Sequence, residues 1–132
     1  MTRRVSSGTP WEPVVGYSRA VAAGDHVWVS GCTSVVDGQV THVDDMEAQA
    51  RQAIRNVATA LAEIGVSLHD VVRTRMFVTD ISRWEEVARA HGEAFGDIRP
   101  ATSMVEVSRL IDPSMLVEVE AVAYRPGAGE SG

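Results

Sequence analysis

In Val117-Glu118-Val119-Glu120-Ala121 two carboxylates stand two positions apart, separated by apolar residues. A strand here turns Val117, Val119 and Ala121 to one face and Glu118 and Glu120 to the other. Such a pair reads as the solvated side of an edge strand or, at a subunit boundary, as a carboxylate that holds or deprotonates a water. Spacing alone favours the solvated face. The stretch Arg99-Pro100-Ala101-Thr102-Ser103 precedes that strand, and the glycine-bearing turn Val29-Ser30-Gly31-Cys32 is the segment the scaffold would bring up against it.

Other chemistries are weakly signalled. His26, His42, His69 and His91 are never three or four residues from one another, and Cys32 is the sole cysteine, so no zinc-type spacing occurs and no metal is expected. His91 sits on an apolar stripe and is expected to be a packed or surface histidine rather than a base. Cys32 follows Gly31 directly, where a thiolate would be accessible, but no histidine is near it in sequence. Free cysteines are mostly buried hydrophobes, so a structural role is the default. Gly-x-Ser-x-Gly, Walker A and dinucleotide fingerprints are all missing. All twelve basic residues are arginine, which excludes a side-chain Schiff base or a lysine general base.

The elements that must position these groups follow from patterning. The 132 residues, 45% of them apolar, suit one domain with one core. A net charge of -6 without any basic run argues against nucleic acid as a partner. No apolar run approaches the roughly 18 residues of a membrane span, the N-terminus lacks a signal-like segment, and no disulfide can form within the chain. A reduced, cytoplasmic setting away from membranes is therefore expected.

Residues 1–12 read as an N-terminal arm, with Trp11 and Pro13 packing on the surface, residues 13–125 as the domain, and 126–132 as a disordered tail. Tyr17 to Ala22 and His26 to Ser30 suggest strands joined by Gly24-Asp25, and Asp37-Gly38 suggests a second hairpin. A helix then carries Met46, Ala50, Ala53, Ile54, Val57, Leu61 and Ile64 at 3.6 spacing, with Asp44 and Glu47 as its capping pair and Gly65 as its stop. A strand over 71–78 places Val72, Thr74, Met76 and Val78 on one side. The second helix, capped at Ser82, carries Trp84, Val87, Ala88, His91 and Phe95. Two strands, 102–107 and 116–125, complete the order βββ-α-β-α-ββ. An α+β fold with both helices on one face of a mixed sheet leaves the other face in need of a partner, which argues for an oligomer.

At this point the residues resemble the Rid group (YjgF/YER057c/UK114) of small enamine and imine deaminases. The matching segments are Val15-Gly16-Tyr17-Ser18-Arg19-Ala20-Val21, Val27-Trp28-Val29-Ser30-Gly31, Asp70-Val71-Val72-Arg73-Thr74 with Phe77-Val78-Thr79-Asp80, Arg99-Pro100-Ala101, and Val117-Glu118-Val119-Glu120-Ala121. The resemblance spans about residues 13 to 125. It implies a chorismate-mutase-like fold, a homotrimer with three clefts between subunits, and cofactor-free hydrolysis of a 2-imino or 2-enamino acid to a keto acid and ammonia. In that chemistry an arginine clamps the substrate carboxylate bidentately, and a glutamate with backbone groups places the water.

The chain departs from this pattern where the family's Pro-Ala-Arg-Ser reads Pro100-Ala101-Thr102-Ser103, and where Ala88 and His91 replace a frequent Asn and Tyr. Thr102 cannot do a guanidinium's work, so ordinary imino acids are expected to be poor substrates. The residues carried over are Tyr17 to orient a small-molecule substrate, Ser30, Gly31, Cys32 and Thr102 to bind it, and Glu118 to position water, with Glu120 as the alternative. Arg99, Arg19 or Arg75 would have to supply any missing charge. Two readings stand at this stage: a hydrolase for a particular imine, enamine or related metabolite, and a non-catalytic trimeric module that binds a small molecule. An RNA-cleaving role is disfavoured by the acidic charge.

Overall fold

The computed structural model describes residues 2–130. The chain begins with a strand, β1 (Thr2–Val5), that pairs antiparallel with β2 (Ala20–Ala23) from Thr2↔Ala23 to Val5↔Ala20. The expected N-terminal arm over 1–12 thus includes a strand in its first half, because edge pairing needs only backbone groups and places no demand on the Thr-Arg-Arg-Val side chains. A five-residue π-type turn, Glu12–Gly16, leads from β1 towards β2. The Gly24-Asp25 turn joins β2 to β3 (His26–Cys32), and a small hairpin, β4 (Val35–Val36) and β5 (Gln39–Val40), turns at Asp37 and Gly38, both at positive φ.

The helix α1 (Met46–Ala62) buries Met46, Ala50, Ala53, Ile54, Val57 and Leu61, the stripe the 3.6 spacing predicts. Its cap is Asp45, whose carboxylate accepts from the Ala48 amide at 3.0 Å. The expected Asp44 instead takes φ 66 in the preceding turn. Gly65, at φ 81, lies just beyond the helix end. Gln49, fully buried, donates to the carbonyls of His42 and Ser114 and accepts from the Leu116 amide at 2.8 Å, which ties α1 to the loop before the last strand.

β6 (Val71–Val78) shifts register against the last strand between Val71 and Arg73, so Val71 is buried and Val72 is exposed, against the expectation that Val72 shares a face with Thr74. The helix α2 (Trp84–Phe95) follows a 3-10 turn that Asp80 caps through the Ser82 amide. Ser82 is therefore not the cap. Trp84, expected on the inner stripe, is half-exposed, and the helix buries Val87, Ala90 and Phe95. β7 (Ala101–Glu106) and β8 (Val117–Tyr124) complete a six-stranded sheet of order β1-β2-β3-β8-β6-β7. Only β6 and β7 run parallel, as the helical crossover through α2 requires.

Both helices cover one face of this mixed sheet, where Val27, Val29, Met76, Val78, Val117, Val119, Ala121 and Ala123 form the core. The opposite face leaves Trp28, Val105 and Tyr124 about half exposed. The expected disordered tail also changes: Gly129 donates to the Gly24 carbonyl at 2.8 Å and Ala128 is buried, while 131–132 lie outside the described residues. No described helix is long and apolar enough to cross a membrane.

Candidate active site

The cleft is built on an irregularity in β3. Between Val29 and Cys32 the register against Ala121 and Val119 of β8 takes one residue more than the partner strand. That extra residue bends the strand at Ser30-Gly31. The bend sets Gly31 against Glu118: a Cβ built on Gly31 would stand 2.5 Å from the Glu118 carboxyl carbon. No real side chain tolerates that approach, so glycine is what lets the carboxylate lie there.

Arg19 holds the bend from behind. Its guanidinium is buried and donates to the carbonyls of Ser30 (3.1 Å) and Gly31, to the Tyr17 hydroxyl (3.1 Å) and to the Ser7 hydroxyl (3.3 Å). It also lies 5.5 Å from the Tyr17 ring centroid, so one cation fixes both the turn and the tyrosine. Glu12 stands 3.9 Å from Arg19 and accepts from the hydroxyls of Ser6, Ser7 and Thr9 and the Ser7 amide. Burial pushes its carboxyl up, yet those donors prevail and hold it down at about 2, so it stays an anion. Arg19 and Glu12 are thereby committed to structure. Ser30 is committed too: its hydroxyl donates to the Ser18 carbonyl at 2.7 Å.

Glu118 is different. Burial, reinforced by the negative charge of Glu120 and only partly offset by Arg19, pushes its carboxyl above the ordinary range. Glu120 shares its face but pairs with Arg75 at 3.0 Å and stands outside the cleft lining, so of the two sequence candidates Glu118 is the cleft carboxylate. Cys32 is buried among the core, and burial pushes its thiol up in spite of Arg19, which disfavours the thiolate form. The cleft that Glu118, Gly31, Tyr17 and Arg19 line encloses about 960 Å³, and Asn56 and Arg109 also face it. Asn56 donates to the carbonyls of Thr33 and Val35, fixing the chain beyond the bend on α1.

Within one chain the structure does not bring Thr102 or Arg99 to this cleft. Thr102 stands on the outermost strand, β7, opposite Thr74 of β6, and their hydroxyls meet at 2.7 Å. Thr74 in turn meets Nε2 of His91 on α2 at 2.9 Å. His91 packs on Phe95, with 4.6 Å between ring centroids, and burial lowers its imidazolium below the usual histidine range, in keeping with the packed role expected of it. Arg99 is exposed at φ 55 in the turn leading to β7, its amide closing on the Phe95 carbonyl at 2.8 Å. Patterning missed Glu12, although the hydroxyl run Ser6-Ser7-x-Thr9 ahead of a single acid was a signal. Arg109 and Asn56 carried none. Among the described residues no three His, Cys, Asp or Glu side chains gather as a metal site would need.

Comparison with known proteins agrees with this architecture. The family model described as Endoribonuclease L-PSP matches residues 8–125. An uncharacterized protein of Streptomyces coelicolor is 41% identical over 98% of this chain and 96% of its own length. The 2-iminobutanoate/2-iminopropanoate deaminase of Salmonella typhimurium is 30% identical over 95% of this chain and 99% of its own. Among solved structures, a YjgF/YER057c/UK114 protein from Mycobacterium tuberculosis superposes with a TM-score of 0.86 at 53% identity, covering 94% of this chain and 99% of that one.

Proposed function

This chain belongs to the endoribonuclease L-PSP family, the YjgF/YER057c/UK114 proteins, and from that premise we propose that it is a hydrolase acting on a small imine or enamine metabolite. The observation that carries the proposal is the Glu118 carboxylate, half-buried against a glycine that makes room for it and facing a cleft beside Tyr17. A carboxylate with a raised affinity for protons and no ion-pair partner among the described residues is suited to take a proton from water. Water oxygen then bonds to the imine carbon and Glu118 passes the proton to nitrogen; Glu118 next carries the remaining hydroxyl proton to nitrogen as the carbon–nitrogen bond breaks, leaving a carbonyl and ammonia. The Gly31-Cys32 backbone and Tyr17 orient the substrate, and the step calls for no cofactor.

The site is completed, in this reading, by a homotrimer. The half-exposed Trp28, Val105 and Tyr124 on the outer sheet face supply a surface for it, and the β7 edge with Thr102 then reaches the Glu118 cleft of a neighbouring subunit. Where the resemblance places the family's arginine, this chain has Thr102, so simple 2-imino acids are poor substrates. The same substitution favours a second reading, a trimeric module that binds a small metabolite without turning it over.

The deciding experiment measures ammonia and keto-acid release from imino acids formed in situ by an amino-acid oxidase. Thr102→Arg should raise turnover over the wild type by ten- to a hundredfold, the worth of a charge-assisted pair. Adding Glu118→Gln to that variant should remove at least a hundredfold. Turnover unaffected by Glu118→Gln sinks the assigned role, and ligand-dependent stabilisation without any product supports the binding module.

A further inference from the structure

On the outer edge of the sheet, away from the Glu118 cleft within one chain, three polar side chains form a continuous line into the protein. Thr102 is exposed, Thr74 is fully buried, and His91 is half-buried on α2. The contacts run Thr102 Oγ1 to Thr74 Oγ1 at 2.7 Å and Thr74 Oγ1 to His91 Nε2 at 2.9 Å, with Thr102 also able to donate to the Pro100 carbonyl at 3.1 Å. A hydroxyl at the centre of an apolar face carries a desolvation cost unless both its donor and acceptor roles are filled. Here they are filled by His91 and Thr102, and the line ends at the exposed Thr102 hydroxyl, whose own partner beyond Thr74 is the Pro100 carbonyl.

We propose that Thr102, Thr74 and His91 form a donor relay that recognises a neutral acceptor, an amide or ketone oxygen, in place of a carboxylate. This rests on the reading that the β7 edge and the Glu118 cleft of two subunits share one ligand. With His91 protonated on Nε2, the ring donates to Thr74 and Thr74 to Thr102, so the Thr102 hydroxyl is free to turn from Pro100 and donate outward. Each donation polarises the next. The neutral imidazole adds no charge to the relay, which therefore gives an anion none of the Coulombic attraction a guanidinium would. The substrate class narrows to imines or enamines whose acid group is masked as an amide or replaced by a ketone.

The test titrates the ¹⁵N-labelled protein, in its solution assembly, with 2-oxobutanamide and with 2-oxobutanoate, which share a carbon skeleton and differ in charge. The amide should bind about five- to tenfold more tightly and move the His91 ring nitrogens. Thr74→Val should weaken the amide by a similar factor and abolish the His91 response, and Thr74→Ser should restore both. Tighter binding of the acid, lost in Arg109→Ala, overturns the proposal and assigns selection to Arg109. Amide binding without a His91 response overturns it as well, leaving Thr74 and His91 as packing, and so does no binding of either probe. Failure of imine turnover with the amide still bound through His91 would sink the hydrolase and leave this relay standing.

Discussion

At the scale of single residues the proposed chemistry rests on Glu118 and Gly31, one of which occupies the space the other vacates. Gly31→Ala should displace the Glu118 carboxylate, since its Cβ would stand 2.5 Å from it. The expected outcome is a tenfold or greater fall in turnover or ligand affinity with a small change in melting temperature, because the far end of a flexible side chain yields more cheaply than backbone. The raised affinity of Glu118 for protons has two further consequences. Its base form is lost as pH falls through a value above the ordinary 4.5, so the acidic limb of kcat/KM should lie above the usual carboxylate range and disappear in Glu118→Gln. A carboxyl more readily protonated folded than unfolded also destabilises the fold once ionised. Glu118→Gln should therefore raise the melting temperature at neutral pH while it removes activity, and a lowered melting temperature would contradict the burial argument.

Elements were legible where one face is buried and illegible where the backbone alone decides. The α1 stripe and the β8 alternation could be read because periodic apolar residues report burial directly. The bulge at Ser30-Gly31, the slip at Val71-Arg73 and the edge strand β1 could not, since each is set by pairing rather than by side-chain type. The cap of α1 shows the limit of local patterns. Asp44 and Asp45 are adjacent and chemically alike, but only Asp45 accepts from the helix amides. Asp45→Ala should cost about 1 kcal/mol in denaturant unfolding. Asp44→Gly, which relieves a residue at φ 66, should cost nothing or stabilise. The candidate residues Tyr17, Ser30, Gly31, Cys32 and Glu118 do converge on one cleft. Thr102 was readable as a departure from a motif, while its bond to Thr74 depended on the register of two parallel strands that no spacing encodes.

The sheet as a whole has one covered face and one open one, and that asymmetry argues for assembly. Light scattering should give a particle of three times the 14.2 kDa chain, and Trp28→Asp on the open face should shift it towards single chains with loss of any ligand response. A monomeric wild type would remove the shared-cleft reading altogether. The two ends of the described chain meet at the β1 edge: Arg3 donates to the carbonyls of Ile64 and Ala128, each at 3.3 Å. Peeling of the first strand thus removes one contact to the C-terminal turn, which Gly24 and Asp25 go on holding. Because trypsin cuts only at arginine here, and Arg3 and Arg4 are protected while paired, the rate of the first cleavage at that pair is a clock for how often the sheet edge opens.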